Sequence, residues 1–146
     1  MTRVDFYLLD HNAAGGHETT TPKDMAVCRL TNKAFLLGHR IYIHTADAAE
    51  AQRLDNLLWT FSAGSFVPHA IAYDANENMP VIIGQDAPPE AFDDVLISLA
   101  PQVPECFSRF QRVAEVVGPG DEDKQLARER FRFYRDRGYA LQTHSL

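Results

Sequence analysis

Six of the 14 lysines and arginines of this chain fall between positions 124 and 137: Lys124, Arg128, Arg130, Arg132, Arg135 and Arg137. Only Glu129 and Asp136 oppose them there, so the segment carries +4 in a chain of net charge -6 and leaves -10 on the remainder. At about 100° per residue, with Lys124 at zero, Arg135 falls at about 20°, Arg128 at about 40°, Arg132 at about 80° and Phe131 at about 340°. These residues form one stripe of a helix. Leu126, Ala127, Phe133 and Tyr134 occupy the opposite side, between about 180° and 300°, and should pack on a sheet. Arg130 and Arg137 share that side and must snorkel or pair. Cations toward a helix C-terminus are ordinarily a solvated face that favours the macrodipole. Here carboxylates for local pairing are few, and an aromatic ring stands inside the stripe rather than in the core. A ring flanked by Lys124, Arg128 and Arg135 suits an anionic ligand with an apolar end, such as a peptide C-terminus bearing a carboxylate and a large side chain. Nucleic acid is the rival ligand, but the -10 remainder repels a long phosphate chain, whereas a short acidic tail needs only the patch.

A second candidate surface rests on Trp59. On a helical wheel with Leu54 at zero, Ala51, Leu57, Leu58 and Phe61 cluster within about 60°, while Trp59 falls at about 140° beside Asp55. The indole should point away from the main core, near Phe66, as an aromatic anchor of the kind protein interfaces use. The strongest enzymatic constellation is Asp10 and His11 with His44 and Asp47, carboxylates and imidazoles that could bind a metal or act as acid and base. Asp10 and His11 are neighbours, however, so on a strand their side chains point to opposite faces. Asp47 is also explained as a helix cap. Neither GxGxxG nor GxxxxGK[ST] occurs, which argues against NAD and ATP, and Ser65 and Ser98 lack a GxSxG context. Cys28 and Cys106 lack metal-ligand spacing and are expected to be small buried hydrophobes in a reducing compartment.

The elements that must position these residues follow from punctuation and period. Val4 to Leu9 is rich in strand formers and ends in a loop with Gly15-Gly16. Thr21-Pro22 opens a helix that runs to Gly38, Arg40 to His44 is a second strand, and Asp47 caps a helix to about Trp59. Phe66 to His69 with Ile71 to Tyr73 should be extended, as should Val81 to Ile83 and Asp94 to Leu99. A short helical segment is expected around Glu105 to Arg109. Arg112 to Val117 is the expected last strand, and a final helix spans Asp121 to Arg137, stopped by Gly138. This alternation predicts one α/β domain over residues 1–146, an open, mostly parallel sheet with helices on both faces and no nucleotide-binding loop. Apolar residues at 45% and charged ones at 23% fit that class. Met1 to Asp10 lacks a signal-peptide pattern, so a cytoplasmic protein is expected.

Several blocks together resemble one family. Phe6-Tyr7-Leu8-Leu9-Asp10, Arg53-Leu54-Asp55 with Leu58-Trp59, Ser65-Phe66-Val67-Pro68-His69, Leu96-Ile97-Ser98-Leu99 and Lys124 to Arg130 with Tyr134-Arg135 and Gly138 are similar to the chi subunit of bacterial DNA polymerase III. The resemblance spans nearly the whole chain, with blocks in the same order. It implies a non-catalytic accessory subunit of the clamp-loader complex with a Rossmann-like fold, no cofactor and no metal, working at the bacterial replication fork. It further implies two partners: the psi subunit, and the acidic C-terminal tail of single-stranded DNA-binding protein. Lys124 and Arg128 correspond to the tail-binding residues, with Arg128 on the terminal carboxylate, and Phe131, Arg132 and Arg135 of the same stripe are assigned to the tail with them. Arg132 stands where a lysine can occur and Phe131 where a tyrosine can. Trp59 and Phe66, with Val67 and Pro68, correspond to a partner-subunit interface that a helicase could share. The alternatives are a metal-dependent nucleic-acid enzyme built on Asp10, His11, His44 and Asp47, and direct binding of single-stranded DNA by the basic helix.

Overall fold

A computed structural model describes residues 1–9, 21–62, 66–72 and 78–146. The described elements are β1 (Arg3–Leu8), α1 (Pro22–Leu36), β2 (Ile41–His44), α2 (Ala48–Thr60), β3 (His69–Ile71), β4 (Val81–Gly84), β5 (Val95–Ser98), β6 (Arg112–Val117), α3 (Asp121–Asp136) and β7 (Ala140–Ser145). A 3-10 turn, Phe107–Arg109, lies between β5 and β6, where the short helical segment was expected. Among the described residues the strands form one seven-stranded sheet in the order β3-β4-β2-β5-β6-β1-β7. Every ladder is parallel. The expected α/β, Rossmann-like open sheet is therefore the observed one.

Local chemistry sets the helix ends. Thr21 Oγ1 accepts from the Asp24 N–H at 3.1 Å, with Pro22 pre-set for the first turn of α1. Asp47 Oδ1 accepts from the Glu50 N–H at 2.8 Å, and Glu50 Oε1 accepts from the Ala46 N–H at 2.9 Å, a reciprocal capping box at the start of α2. Gly38 (φ +89°) and Gly138 (φ +79°) follow α1 and α3 in the left-handed region that glycine adopts without a Cβ clash.

Strand alternation sorts the core into two layers. Ile41, Ile43, Val81, Ile83 and Ile97 face α1 and α2, meeting Val27, Cys28, Leu54 and Leu58. Val4, Phe6, Tyr42, Ile82, Leu96 and Val113 face the other way, against Ala127 and Tyr134 of α3, Phe92 of the β4–β5 connection and Phe107 and Phe110 of the β5–β6 connection. Helices thus cover both faces.

Two expectations need correction. Arg112 to Val117 is not the last strand, because β7 continues the sheet beyond β1, pairing Arg3 with Ala140 through Leu8 with Ser145. Its sequence, Ala-Leu-Gln-Thr-His-Ser, is mostly polar and exposed, since an edge strand buries little and carries no apolar signal. Phe66 to Pro68 precede β3 without joining the sheet. Tyr73 lies outside the described residues.

Candidate partner-binding surfaces

The orientation of α3 is fixed from beneath by Glu115, a carboxylate in the middle of β6 that is wholly buried. Arg130 Nε lies 3.1 Å from Glu115 Oε1, and the Tyr134 hydroxyl donates to Glu115 Oε2 at 2.8 Å. Arg130 Nη1 also donates to the Pro101 carbonyl at 2.9 Å. Burial raises the Glu115 carboxyl above the ordinary carboxylate range, opposed by the Arg130 charge, and burial likewise raises the Tyr134 phenol. Arg137 lies 3.6 Å over the Phe133 ring, a cation–π contact, and donates to the Phe133 carbonyl. Both arginines on the sheet side of the wheel are thereby paired, as expected. With Ala127, Arg130 and Tyr134 turned inward, Arg128, Arg132 and Arg135 stand exposed.

Phe131 is not the free-standing ring the wheel suggests. It is half-buried, edge-on to Phe6 with centroids 5.4 Å apart. The cause is topological: α3 leaves β6 and returns to β7, so it crosses over β1 and sets Phe131 above the Phe6 side chain. The contact leaves a cavity of about 210 Å³ floored by Phe6, Leu8 and Val117, walled by Ala127 and Phe131, and rimmed by Lys124 and Arg128. Arg128 Nη1 donates to Gln125 Oε1 at 3.1 Å, and neither rim cation pairs with a carboxylate among the described residues. Arg132 Nε is 3.5 Å from the Arg128 carbonyl. Arg135 meets Asp136 at 3.1 Å with both side chains exposed, a pairing worth only about 0–1 kcal/mol in water. The arrangement can hold an apolar side chain in the cavity with an anion at its rim. The floor residues Phe6 and Leu8, and the anchor Glu115, escape sequence reasoning. A lone glutamate inside the apolar run of β6, with an arginine on the sheet side of α3, was the available signal for the anchor.

On the opposite layer, Trp59 is 50% and Phe66 66% exposed, their rings 5.7 Å apart. Trp59 is propped on the buried His69 ring at 4.3 Å. His69 is held in turn, with Nδ1 2.6 Å from the Val67 carbonyl oxygen and Nε2 2.9 Å from that of Asp55. Pro68 is half-buried. Val67, assigned to the same interface, is fully buried in the α1–α2 core and so is not open to a partner.

Of the acid–imidazole constellation, His44 and Asp47 are among the described residues. Asp10 and His11 lie outside the described residues, and Asp47 is occupied in capping α2. His44, at the end of β2, has a buried Nδ1 without a hydrogen-bond partner among the described residues, and burial makes its imidazole harder to protonate. Among the described residues no cluster of three or more His, Cys, Asp or Glu could hold a metal ion. Ser98 is buried, its Oγ accepting from the Ala100 N–H; Ser65 lies outside the described residues. Cys28 is buried and its thiol is pushed up to about 12, whereas Cys106 is only half-buried, contrary to expectation. No described helix is long and apolar enough to cross a membrane.

Comparison with known proteins bears on the family of the whole chain. Residues 1–142 match the family described as DNA polymerase III chi subunit, HolC. The chain is 40% identical over 146 residues to the DNA polymerase III subunit chi of Pseudomonas aeruginosa, covering 100% of this chain and 98% of that relative. It is 34% identical over 145 residues to the Escherichia coli protein of the same name, covering 98% and 97%. The Haemophilus influenzae protein of that name is 28% identical over 147 residues. With a family match over residues 1–142 and similarity nearly end to end, the chain belongs to the DNA polymerase III chi subunit family.

Proposed function

We propose that this subunit is a non-catalytic bridge in the polymerase holoenzyme, with the α3 groove taking the acidic C-terminal tail of single-stranded DNA-binding protein. On this reading the terminal carboxylate sits at Arg128, neighbouring acidic side chains at Lys124, Arg132 and Arg135, and the last apolar side chain in the cavity against Phe131. The observation that carries it is the Phe6–Phe131 cavity with two cations at its rim and no internal carboxylate on them among the described residues. A planar guanidinium can hold a carboxylate with two parallel hydrogen bonds. An aromatic wall gives the side chain beside it somewhere dry to go. Trp59 and Phe66, on the opposite layer, receive a psi-like subunit or a helicase that shares that surface, which links the clamp loader to protein-coated template.

A short peptide held by a few exposed charges should bind at about micromolar strength, or about -8 kcal/mol. Titration of a labelled tail peptide tests the assignment. Arg128→Ala should weaken binding by about 1.5–3 kcal/mol, the scale of a hydrogen bond to a charged group. A peptide ending in an amide should lose a similar amount. Equal affinities for wild type and variant would sink the role given to Arg128. Binding of a single-stranded oligonucleotide as tight as that of the tail would favour direct DNA contact instead.

A further inference from the structure

On the α1–α2 layer, α1 packs over β6, β5 and β2, and α2 over β3 and β4. Among the described residues no helix covers β1 and β7 on this side. The uncovered strands and the flank of α1 enclose a groove of about 550 Å³, distinct from the Phe131 cavity on the other layer. Leu30, Ala34 and Leu37 form its helical wall; Tyr7 and Ala114 form its floor. The apolar lining is open to solvent, because Leu37 is 68% and Leu146 48% exposed, and Leu36, the neighbour of Leu37 outside the lining, is 73% exposed. Contiguous exposed apolar surface on a chain of this size marks a contact site.

The charges say what kind of contact. Arg29 and Lys33, one helical turn apart on α1, are exposed and have no ion-pair partner among the described residues. Arg112 faces them from β6. The acidic side chain lining it among the described residues is Asp5, only 2% exposed and already met by His144 Nε2 at 2.9 Å and by Arg112 and Arg3 at 3.5 Å each. In a chain of net charge -6 the groove rim is locally cationic. We infer that this groove docks a partner protein through an internal acidic segment, one large apolar side chain entering between α1 and β1 while flanking carboxylates pair with Arg29, Lys33 and Arg112. Arg29 and Lys33 stand on the helical wall and Arg112 on the strand side, where it already meets the Asp5 carboxylate. That geometry favours acids on either side of an apolar anchor over a chain end driven inward. The exposed leucines of the groove, Leu37 and Leu146, with Leu36 beside Leu37, favour a length of chain over a compact small molecule.

The probe is the doubly blocked peptide acetyl-Asp-Glu-Leu-Phe-Glu-Asp-amide, which has no terminal carboxylate, followed by amide chemical shifts of the full chain. Shifts at Lys33, Leu37 and Ala114, with affinity cut at least tenfold in the Arg29→Glu/Lys33→Glu double variant and unchanged in Arg128→Ala, are expected. Both reversed residues are exposed, so circular dichroism and melting should match wild type and separate lost binding from lost folding. Shifts confined to Lys124, Arg128 and Phe131 would overturn the inference, as would equal binding by the double variant or no shift at millimolar peptide. Shifts that grow with protein concentration alone would assign the groove to a second copy and overturn it too. Because the peptide ends in an amide and Arg128→Ala is a control, failure here leaves the tail reading untouched.

Discussion

Glu115 and Arg130 illustrate how one buried pair can orient a surface that neither residue reaches. The Glu115 carboxylate is fully buried with Arg130 and Tyr134 as partners, so its energetic weight lies in what happens when one partner is removed. Arg130→Ala should cost about 3–5 kcal/mol in urea unfolding, because it strands a charge or a proton in the core. Tyr134→Phe, which removes one hydrogen bond to a charged group, should cost about 1.5–3 kcal/mol. Glu115→Leu with Arg130→Met should recover much of the loss, since an apolar pair of similar volume leaves no buried charge. Cys28 gives the pH dependence. Its ordinary value is 9.0 and burial pushes it up to about 12, so the folded chain keeps a neutral thiol where the unfolded chain ionises. The stabilisation is complete below pH 9 and is lost as pH rises toward 12. Cys28→Val should make the alkaline fall in unfolding free energy shallower, and a thiol reagent at pH 8 should label Cys106 before Cys28.

At the scale of elements, the end of α3 governs whether β7 reaches the sheet. Gly138 has φ +79° and open space where a Cβ would stand, so a side chain there meets backbone strain alone. Gly138→Ala should cost about 1–2 kcal/mol, read from chemical unfolding, and hydrogen exchange should rise first in β7. The expectation rests on the Tyr139 N–H bonding to the Tyr134 carbonyl at 3.2 Å, which closes α3 and starts the chain toward β7. Helix boundaries at Thr21, Asp47, Gly38 and Gly138 were legible because caps and left-handed glycines act over three or four residues. The α3 stripe was legible for the same reason. β7 was not, because its pairing with β1 joins residues more than 130 positions apart and its exposed side chains follow no apolar alternation.

For the whole molecule, the α3 groove and the Trp59–Phe66 surface sit on opposite layers of one sheet, α3 on one and α2 on the other. They should therefore act independently. Trp59→Ala is expected to abolish capture of a psi-like subunit while leaving the tail-peptide titration unchanged, and Arg128→Ala the reverse; loss of both in either variant would mean that the layers are coupled. Tail affinity should fall steeply as salt rises, because exposed pairs are screened within about 8 Å at physiological ionic strength. Arg128→Lys should not restore full affinity, since a lysine offers a point charge without the planar fork.

The sequence by itself determined the alternation of strands and helices, the caps that delimit them and the cationic stripe, all of which are written in spacings of a few residues. Tertiary structure alone decided that Phe131 lies on Phe6, that Glu115 receives Arg130, that Val67 is interior, and that a seventh strand closes the edge. The reason is physical: period and capping act along the chain, whereas the choice of which strand a helix crosses, and so which ring meets which, is made by packing between distant segments.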